Sequence, residues 1–393
     1  MASTLKLTLR TTLIALIGTA AISACSNSDT SNGAVTNATD AAADTSGPAL
    51  AEVVNLAGLC FSPIVVQTDW YPQTEHGGIY ELLADDYVVD ATRGATTGSL
   101  VWDGVDTGVD LEIRVGGPFL ESPVVTEMFL DDSIMFGYVG TDGAISRFAE
   151  APTLAVFNAL TINPQIIMWN ATKHPMATTI ADIAQEVSAV SVFGDRPYMR
   201  YLVEQGIVPS EKVDTNYKGS LMLATDDVAH QAFATSEPYR YETLESGAIK
   251  TAFQLVHDVG WTSYPQNLAI NRLRLDALRP CLTKLVPMLQ QAQINFITSP
   301  ARTIATIGDV VTQLNTPWRQ SPELAAYAIA TMKRLSIIGN GSTSTFGDFE
   351  SPRIDEFVAR AVPILRQQGL DIPDLTASDI ATNEFIDPAI SLP

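Results

Sequence analysis

An α/β fold in two domains is predicted on three observations. Short apolar strand segments alternate with amphipathic helical segments, the chain has 393 residues, and no repeat recurs at a fixed period. Alternating strands and helices favour a mainly parallel sheet with helices on its faces. The length exceeds one ordinary core, and the lack of a repeat removes solenoids and propellers. An apolar fraction of 46% against 17% charged residues suits a packed interior.

The first strand is predicted over Ile64–Gln67, followed by a turn-rich stretch and a helix over Gly77–Ala84 that buries Ile79, Tyr80, Leu82 and Leu83. Leu111–Val115 reads as a strand ending at Gly116-Gly117-Pro118, and Leu154–Phe157 as a strand after the Ala151-Pro152 break. Thr179 caps a helix with Ile180, Ile183, Ala184 and Val187 on one face, leading into a strand over Ala189–Phe193. The next helix starts at Pro197, a first-turn proline, stops at Gly206 and buries Tyr198, Tyr201 and Leu202. Beyond Trp261 the pattern turns helical. One helix runs through Leu282, Leu285 and Leu289, one through Ile304, Ile307, Val311 and Leu314, and one from Pro322 towards Leu335. The last passes Phe357, Val358, Ala361, Ile364 and Leu365 to Gly369.

The N-terminus carries a different signal. Residues 1–24 combine a basic start (Lys6, Arg10), an apolar stretch from Leu13 to Ile22 and small residues up to Cys25, the layout of a secretory signal too short to span a membrane as a mature helix. Ile22-Ser23-Ala24-Cys25 resembles the lipobox of bacterial lipoproteins, which implies lipidation at Cys25 and anchoring on the extracytoplasmic face of a bacterial membrane. Residues 25–50, mostly Ser, Asn, Thr, Asp, Ala and Gly, read as a flexible tether. Lipidation accounts for one of three cysteines; Cys60 and Cys281 make one possible disulfide in an oxidising compartment.

Loss of Lys6 and Arg10 with the leader would take the formal net charge from −21 to −23. Such a surface repels nucleic acid, and no run of Lys and Arg offers phosphate contacts. Nucleophile-elbow, Walker and His-Glu-x-x-His motifs are absent, which argues against hydrolase, NTPase and metalloprotease chemistry. Asp226, Asp227 and His230 lie within a helical turn's reach of one another as metal ligands, but read first as an acidic helix start beside a solvated histidine.

The stretch from Ile64 to Tyr80, Ile-Val-Val-Gln-Thr-Asp-Trp-Tyr-Pro-Gln-Thr-Glu-His-Gly-Gly-Ile-Tyr, resembles the first strand and ligand loop of ABC-importer substrate-binding proteins of the thiamine pyrimidine precursor and alkanesulfonate (nitrate, taurine) receptor family. The motif residues are Asp69, Trp70, Pro72, His76, Gly78 and Tyr80. Gly137-Tyr138-Val139 with Thr141-Asp142, Thr179-Ile180-Ala181-Asp182, Phe233 to Tyr239 and Thr382 to Asp387 follow in order, so the resemblance spans about residues 60 to 390. It implies a two-lobed, periplasmic-binding-protein-like type II fold with a hinge and an interlobe cleft. Lobe 1 would take residues 51–160 and 262–393, lobe 2 residues 161–261, with closure about segments near 158–164 and 260–268. Cys60 and Cys281 would share lobe 1.

The implied function is capture of a small molecule and its delivery to ABC permease and ATPase subunits by a monomeric lipoprotein, with no cofactor and no catalysis. Asp69, Trp70, Tyr71, His76, Tyr80, Asp142, Tyr198, Glu237, Tyr239 and Trp261 are the candidate ligand contacts. Aromatic faces with carboxylates favour a flat or cationic ligand, best an aminopyrimidine-like or other nitrogen heterocycle. An oxyanion would want Arg or Lys, and only Arg196 offers that locally. Phe193 and Tyr198 read first as packing residues, and His76 as a histidine that orders its loop. Two other readings use the same fold: an exported sensor or adhesion module, and a pyrimidine-synthase-like enzyme, whose cysteine-rich iron-binding segment this chain lacks.

Overall fold

A computed structural model describes residues 54–219, 222–244 and 246–393. The leader, Cys25 and the tether lie outside the described residues. Six strands come first: β1 (Ile64–Gln67), β2 (Val88–Asp90), β3 (Ala95–Trp102), β4 (Val105–Arg114), β5 (Ile134–Val139) and β6 (Thr153–Asn158). Then follow β7 (Gln165–Asn170), β8 (Val190–Ser191), β9 (Val213–Asp214), β10 (Ala229–Phe233) and β11 (Thr251–Leu255), and finally β12 (Asn267–Asn271). They form a seven-stranded sheet in the order β2-β3-β4-β1-β5-β12-β6 and a five-stranded sheet in the order β11-β7-β10-β8-β9. The chain therefore passes between the sheets twice, from Asn158 to Gln165 and from Leu255 to Asn267, and each sheet is the centre of one lobe.

Helices α1 (Gly77–Glu81), α2 (Val124–Leu130), α3 (Thr141–Ser146), α4 (Ile180–Glu186), α5 (Pro197–Glu204) and α6 (Glu237–Glu242) are short. The C-terminal region supplies longer ones: α7 (Leu275–Thr298), α8 (Ala301–Leu314), α9 (Pro322–Arg334), α10 (Ser351–Gln367) and the single turn α11 (Ala377–Ile380). The large sheet is buried on both faces because alternate side chains point to opposite sides. Ile64 and Val66 pack with Ile79, Leu282, Leu285, Leu289 and Ile307, whereas Val65 packs with Met128, Ile145, Phe357 and Ala361. Thr179 caps α4 as the sequence predicts: its hydroxyl accepts from the Asp182 amide at 3.1 Å, and the Asp182 carboxylate accepts from the Thr179 amide at 3.0 Å.

Three expectations need correction. The sheets are mixed, with β1 parallel to β4 and β5 but β12 antiparallel to both its neighbours, because two hairpins and a returning strand add antiparallel ladders to the parallel centre. The predicted strand over Ala189–Phe193 shrinks to Val190–Ser191, since the Phe193 amide donates to the Gln231 side chain at 2.9 Å and its ring stands 61% exposed. The helix after the ligand loop ends at Glu81, three residues short of Ala84.

The metal reading of Asp226, Asp227 and His230 also loses its geometry. His230 lies in strand β10 with Nδ1 against the Gln231 carbonyl at 2.6 Å and Nε2 against the Tyr241 hydroxyl at 3.1 Å, and burial draws its pKa down to about 4. Asp227 accepts instead from His174 at 2.9 Å. No helix among the described residues is long and apolar enough to cross a membrane.

Cys60 and Cys281 are joined by a disulfide that ties the segment before β1 to α7 across a sequence separation of 221 residues. Closing so long a loop removes chain entropy from the unfolded state, so Cys60→Ser with Cys281→Ser should cost about 2–4 kcal/mol. Calorimetric melting under non-reducing conditions checks this, and a double variant that melts with the wild type would show the bond to be energetically idle.

Candidate ligand cleft

Two turns at strand ends build one wall of the cleft. After β1, the one Thr68 hydroxyl proton is shared between the Trp70 carbonyl at 2.8 Å and the Arg114 carbonyl at 2.9 Å, folding the chain back at Asp69. After β4, the Gly116 and Gly117 amides donate to the Trp70 and Asp69 carbonyls, each at 3.0 Å. Glycine is required at both: a Cβ on Gly116 would lie 2.2 Å from the Thr68 carbonyl oxygen, and Gly117 has φ of 60° with the Trp70 ring 2.8 Å from its Cβ position. The indole of Trp70 is thereby raised at the rim, 42% exposed.

Behind it sits an aromatic group. Trp70 meets Tyr71 and Trp318 edge to face at 5.8 and 6.4 Å, Tyr71 stacks on Trp318 at 5.4 Å, and Trp318 Nε1 donates to the Pro72 carbonyl at 2.9 Å. The Asp69 carboxylate accepts from His76 Nε2 at 2.8 Å and from Gln266 Nε2 at 3.0 and 3.1 Å. An ionised carboxylate only accepts, so His76 carries its proton on Nε2. Its Nδ1 is buried without a partner.

The opposite wall comes from the five-stranded lobe. Gln231 Oε1 accepts from the Tyr198 hydroxyl at 3.1 Å and the Phe193 amide, while Glu237 accepts from the Phe233 amide at 2.8 Å. Arg196 lies over the Phe193 ring at 5.4 Å. The walls meet where the Thr235 hydroxyl donates to the buried Glu75 carboxylate, where Tyr239 packs on Tyr327 at 5.4 Å and where Arg240 lies over Trp318 at 5.2 Å.

Between them lies a cavity of about 450 Å³ reaching Trp70, Phe193, Tyr217, Glu237 and Trp318. It continues into a compartment of about 290 Å³ with Asp142, Tyr198 and Trp261. Asp69, Gln73, Glu75, Arg196, Gln231, Phe233 and Gln266 line both, so the two are one cleft. Burial raises the carboxyl pKa values of Asp142 and Glu237, despite amide donors from Gly143 to the first and Phe233 to the second.

Of the candidate contacts, Asp69, Trp70, Asp142, Tyr198, Glu237 and Trp261 reach the cleft, and His76 stands behind Asp69. Three do not. Tyr80 is fully buried in the core because α1 turns its ring inward, Tyr71 is covered by Trp318, and Tyr239 is spent on Tyr327. Phe193, read first as packing, is a cleft residue. Glu75, Gln231, Phe233, Gln266 and Trp318 also line the cleft, outside the candidate set. Glu75 lies inside the ligand-loop motif, and Trp318 is an aromatic in the proline-flanked loop between two helical patterns, so both had a signal.

No family model matches the chain, and no curated protein matches it. Solved structures do. The ligand-binding component of an ABC-type import system from Staphylococcus aureus, with zinc bound, is similar with a TM-score of 0.52 at 12% identity, covering 82% of this chain and 97% of that one. The alkanesulfonate-binding protein SsuA from Xanthomonas axonopodis pv. citri, bound to MOPS, is similar with a TM-score of 0.51 at 14% identity, covering 82% of this chain and 100% of that one. This chain has the periplasmic-binding-protein-like fold. In that fold, β12 returns from the second lobe to run antiparallel between β5 and β6, and the cleft opens between the lobes.

The Thr235–Glu75 contact is the one buried hydrogen bond between charged and neutral side chains across the cleft among those described above. Thr235→Val removes the donor and leaves a buried carboxylate short of a partner, which costs about 1–3 kcal/mol. Small-angle scattering should show a larger radius of gyration for Thr235→Val than for wild type; equal radii would mean that this bond does not hold the lobes together.

Proposed function

We propose that this protein is the extracytoplasmic solute-binding lipoprotein of an ABC importer, lipid-anchored through Cys25 and working as a monomer. Lobe 1 (51–160 and 262–393) and lobe 2 (161–261) close on a small molecule, which is then delivered to the permease and ATPase subunits. The protein binds and releases its ligand without turnover. The observation that carries this reading is the single cleft walled by both lobes, with the chain crossing twice beside it.

The lining favours a flat nitrogen heterocycle bearing N–H donors, aminopyrimidine-like in character. Four carboxylates, Asp69, Glu75, Asp142 and Glu237, face one guanidinium, Arg196, among the described lining residues. Trp70, Phe193 and Phe233 supply exposed ring faces for stacking. A sulfonate or nitrate would need positive charge where the cleft offers one guanidinium against four carboxylates.

Melting of the protein against pyrimidines, flavins, amines, sulfonates and nitrate tests both parts. A ligand at about a thousandfold over its Kd adds about 4 kcal/mol, a shift of several degrees. Amino-substituted heterocycles should raise the melting temperature and Trp70→Ala should abolish the rise. A response to sulfonates alone would overturn the ligand class, and no response to any small molecule would favour a sensor or adhesion role.

Protonation gives a second check. The raised carboxyls of Asp142 and Glu237 must be ionised to hold a cation, so its affinity should fall as pH drops through their elevated pKa values, and binding near that window should release protons. The empty protein responds with the opposite sign. Groups that hold protons more tightly when folded contribute stability that is full below their unfolded pKa and lost as pH rises through the folded one. Titration calorimetry in buffers of different ionisation enthalpy measures the released protons; pH-independent affinity in that window would remove Asp142 and Glu237 from the binding site.

A further inference from the structure

A second cavity, of about 420 Å³, is walled by Thr161 and Ile162 of the first crossing segment, by His257 and Thr262 of the second, and by residues of the 336–353 stretch. It shares no lining residue with either compartment of the cleft. The neighbouring backbone is well tied: the Thr161 hydroxyl donates to the Gly339 carbonyl at 2.7 Å, and the Ile162 amide to Ile337 at 3.2 Å.

The two charges in this cavity, Arg353 and Glu350, lie within electrostatic reach of each other but form no ion pair among the described residues. Arg353 lies 3.7 Å over the Tyr264 ring and donates to the carbonyls of Thr262 and Ser263 at 3.0 and 3.5 Å, with no ion pair among the described residues. Burial pulls its pKa below the ordinary arginine value. Glu350 stands three positions earlier, a spacing at which opposite charges on a helix commonly pair. It accepts instead from the Ser342 amide at 3.2 Å. Gly341 permits the close approach of that loop, having φ of 70° and a Cβ position 2.9 Å from Glu350 Oε1. His257 Nδ1 is buried without a partner. Burial and the nearby Arg353 draw its pKa to about 4, which leaves the ring neutral at pH 7 and free to donate or accept.

We propose that this cavity is a second ligand site, which takes a small zwitterion of the α-amino-acid class with its carboxylate on Arg353 and its ammonium on Glu350. The planar guanidinium suits a carboxylate. A simple anion would leave Glu350 facing its own sign, and a simple amine would face Arg353, whereas a molecule with both charges satisfies both. His257 Nδ1 and the hydroxyls of Ser336 and Thr262 remain for a polar side chain.

Titration calorimetry of the full chain with glycine, serine and glutamine, beside acetate and methylammonium as the two half-molecules, tests the site. At least one amino acid should bind at millimolar concentration or better, and the half-molecules at least about tenfold more weakly. Glu350→Gln and Arg353→Gln should each weaken the amino acid about tenfold or more, a loss of about 1.4 kcal/mol or more. Trp70→Ala should leave it unchanged. Arg353 also holds backbone carbonyls, so if its variant does not fold, Glu350→Gln carries the test alone. No binding by any of the three amino acids at about 10 mM overturns the site. So does binding that survives Glu350→Gln and disappears in Trp70→Ala, which would place the amino acid in the cleft. Neither result bears on the heterocycle reading of the cleft, which is read by its own ligand panel.

Discussion

The Asp69 carboxylate is the point on which the cleft is organised. A carboxylate at a rim would swing into solvent if its chain were free to do so, but here donors arrive from both sides, His76 from the turn before α1 and Gln266 from the residue before β12. Two positions seven residues apart and a third 197 residues beyond the first are held in one geometry, and each arm loses something for it. His76 Nδ1 and Gln266 Oε1 are left buried without partners, at about 1–3 kcal/mol for each unsatisfied group. What the arrangement secures is a pre-oriented carboxylate, so on the proposed function less ordering remains to be done on binding. The glycines at 116 and 117 belong to the same device, because any side chain there would push the Asp69–Trp70 turn off the strand ends.

Much of this was legible along the chain and some was not, for reasons that differ by element. The long C-terminal helices carry a 3.6-residue apolar period over three or more turns, and α7 to α10 fall where that period places them. The capping box at Thr179 is a local hydrogen-bond pattern and could be read locally. Pairing direction could not. Whether β12 runs with or against β5 depends on the chain's return from the second lobe, which no short window contains. The same limit explains Tyr80. It shares the ligand-loop motif with Asp69 and Trp70, yet one helical turn rotates it into the core. Phe193 errs the other way, since an apolar residue at the end of an apolar run reads as interior while beyond Ser191 only isolated pairing with residues 214–216 continues and its ring stands 61% exposed.

Cleft electrostatics follow from enclosure as much as from composition. Glu237 opens α6, where the N-terminal amides favour negative charge, and Asp142 accepts from the Gly143 amide at 3.1 Å. Both carboxyls nevertheless titrate higher than usual, so desolvation outweighs these donors. Such a pair is only partly satisfied by the nearby guanidinium groups, Arg196 for Asp142 and Arg240 for Glu237. On the proposed function, a ligand bringing N–H donors or positive charge completes that satisfaction, and a closed form then gains most when the ligand is correct. Coupling of charge relief to closure makes selectivity, on the proposed function, a property of both lobes at once, because Asp142 lies in α3 beside the seven-stranded sheet and Glu237 opens α6 beside the five-stranded one.

A fold shared at 12–14% identity locates a cleft without dictating what fills it. The position of the cavity follows from two crossing segments and from turns at the ends of β1 and β10, features of the backbone. Its preference follows from side chains the backbone leaves free, and here these are carboxylates and exposed rings with a single guanidinium. The wider surface acts in the same sense. A formal net charge of −21 sets up a negative field that repels anions and concentrates cations near the protein, raising their rate of encounter. That field is screened over about 10 Å at 0.1 M salt, so steering should weaken as salt is added, while the enclosed contacts proposed at Asp142 and Glu237 should weaken far less. On the proposed function, on-rate and residence time therefore have separate physical origins, the first in the whole surface and the second in the enclosed carboxylates Asp142 and Glu237.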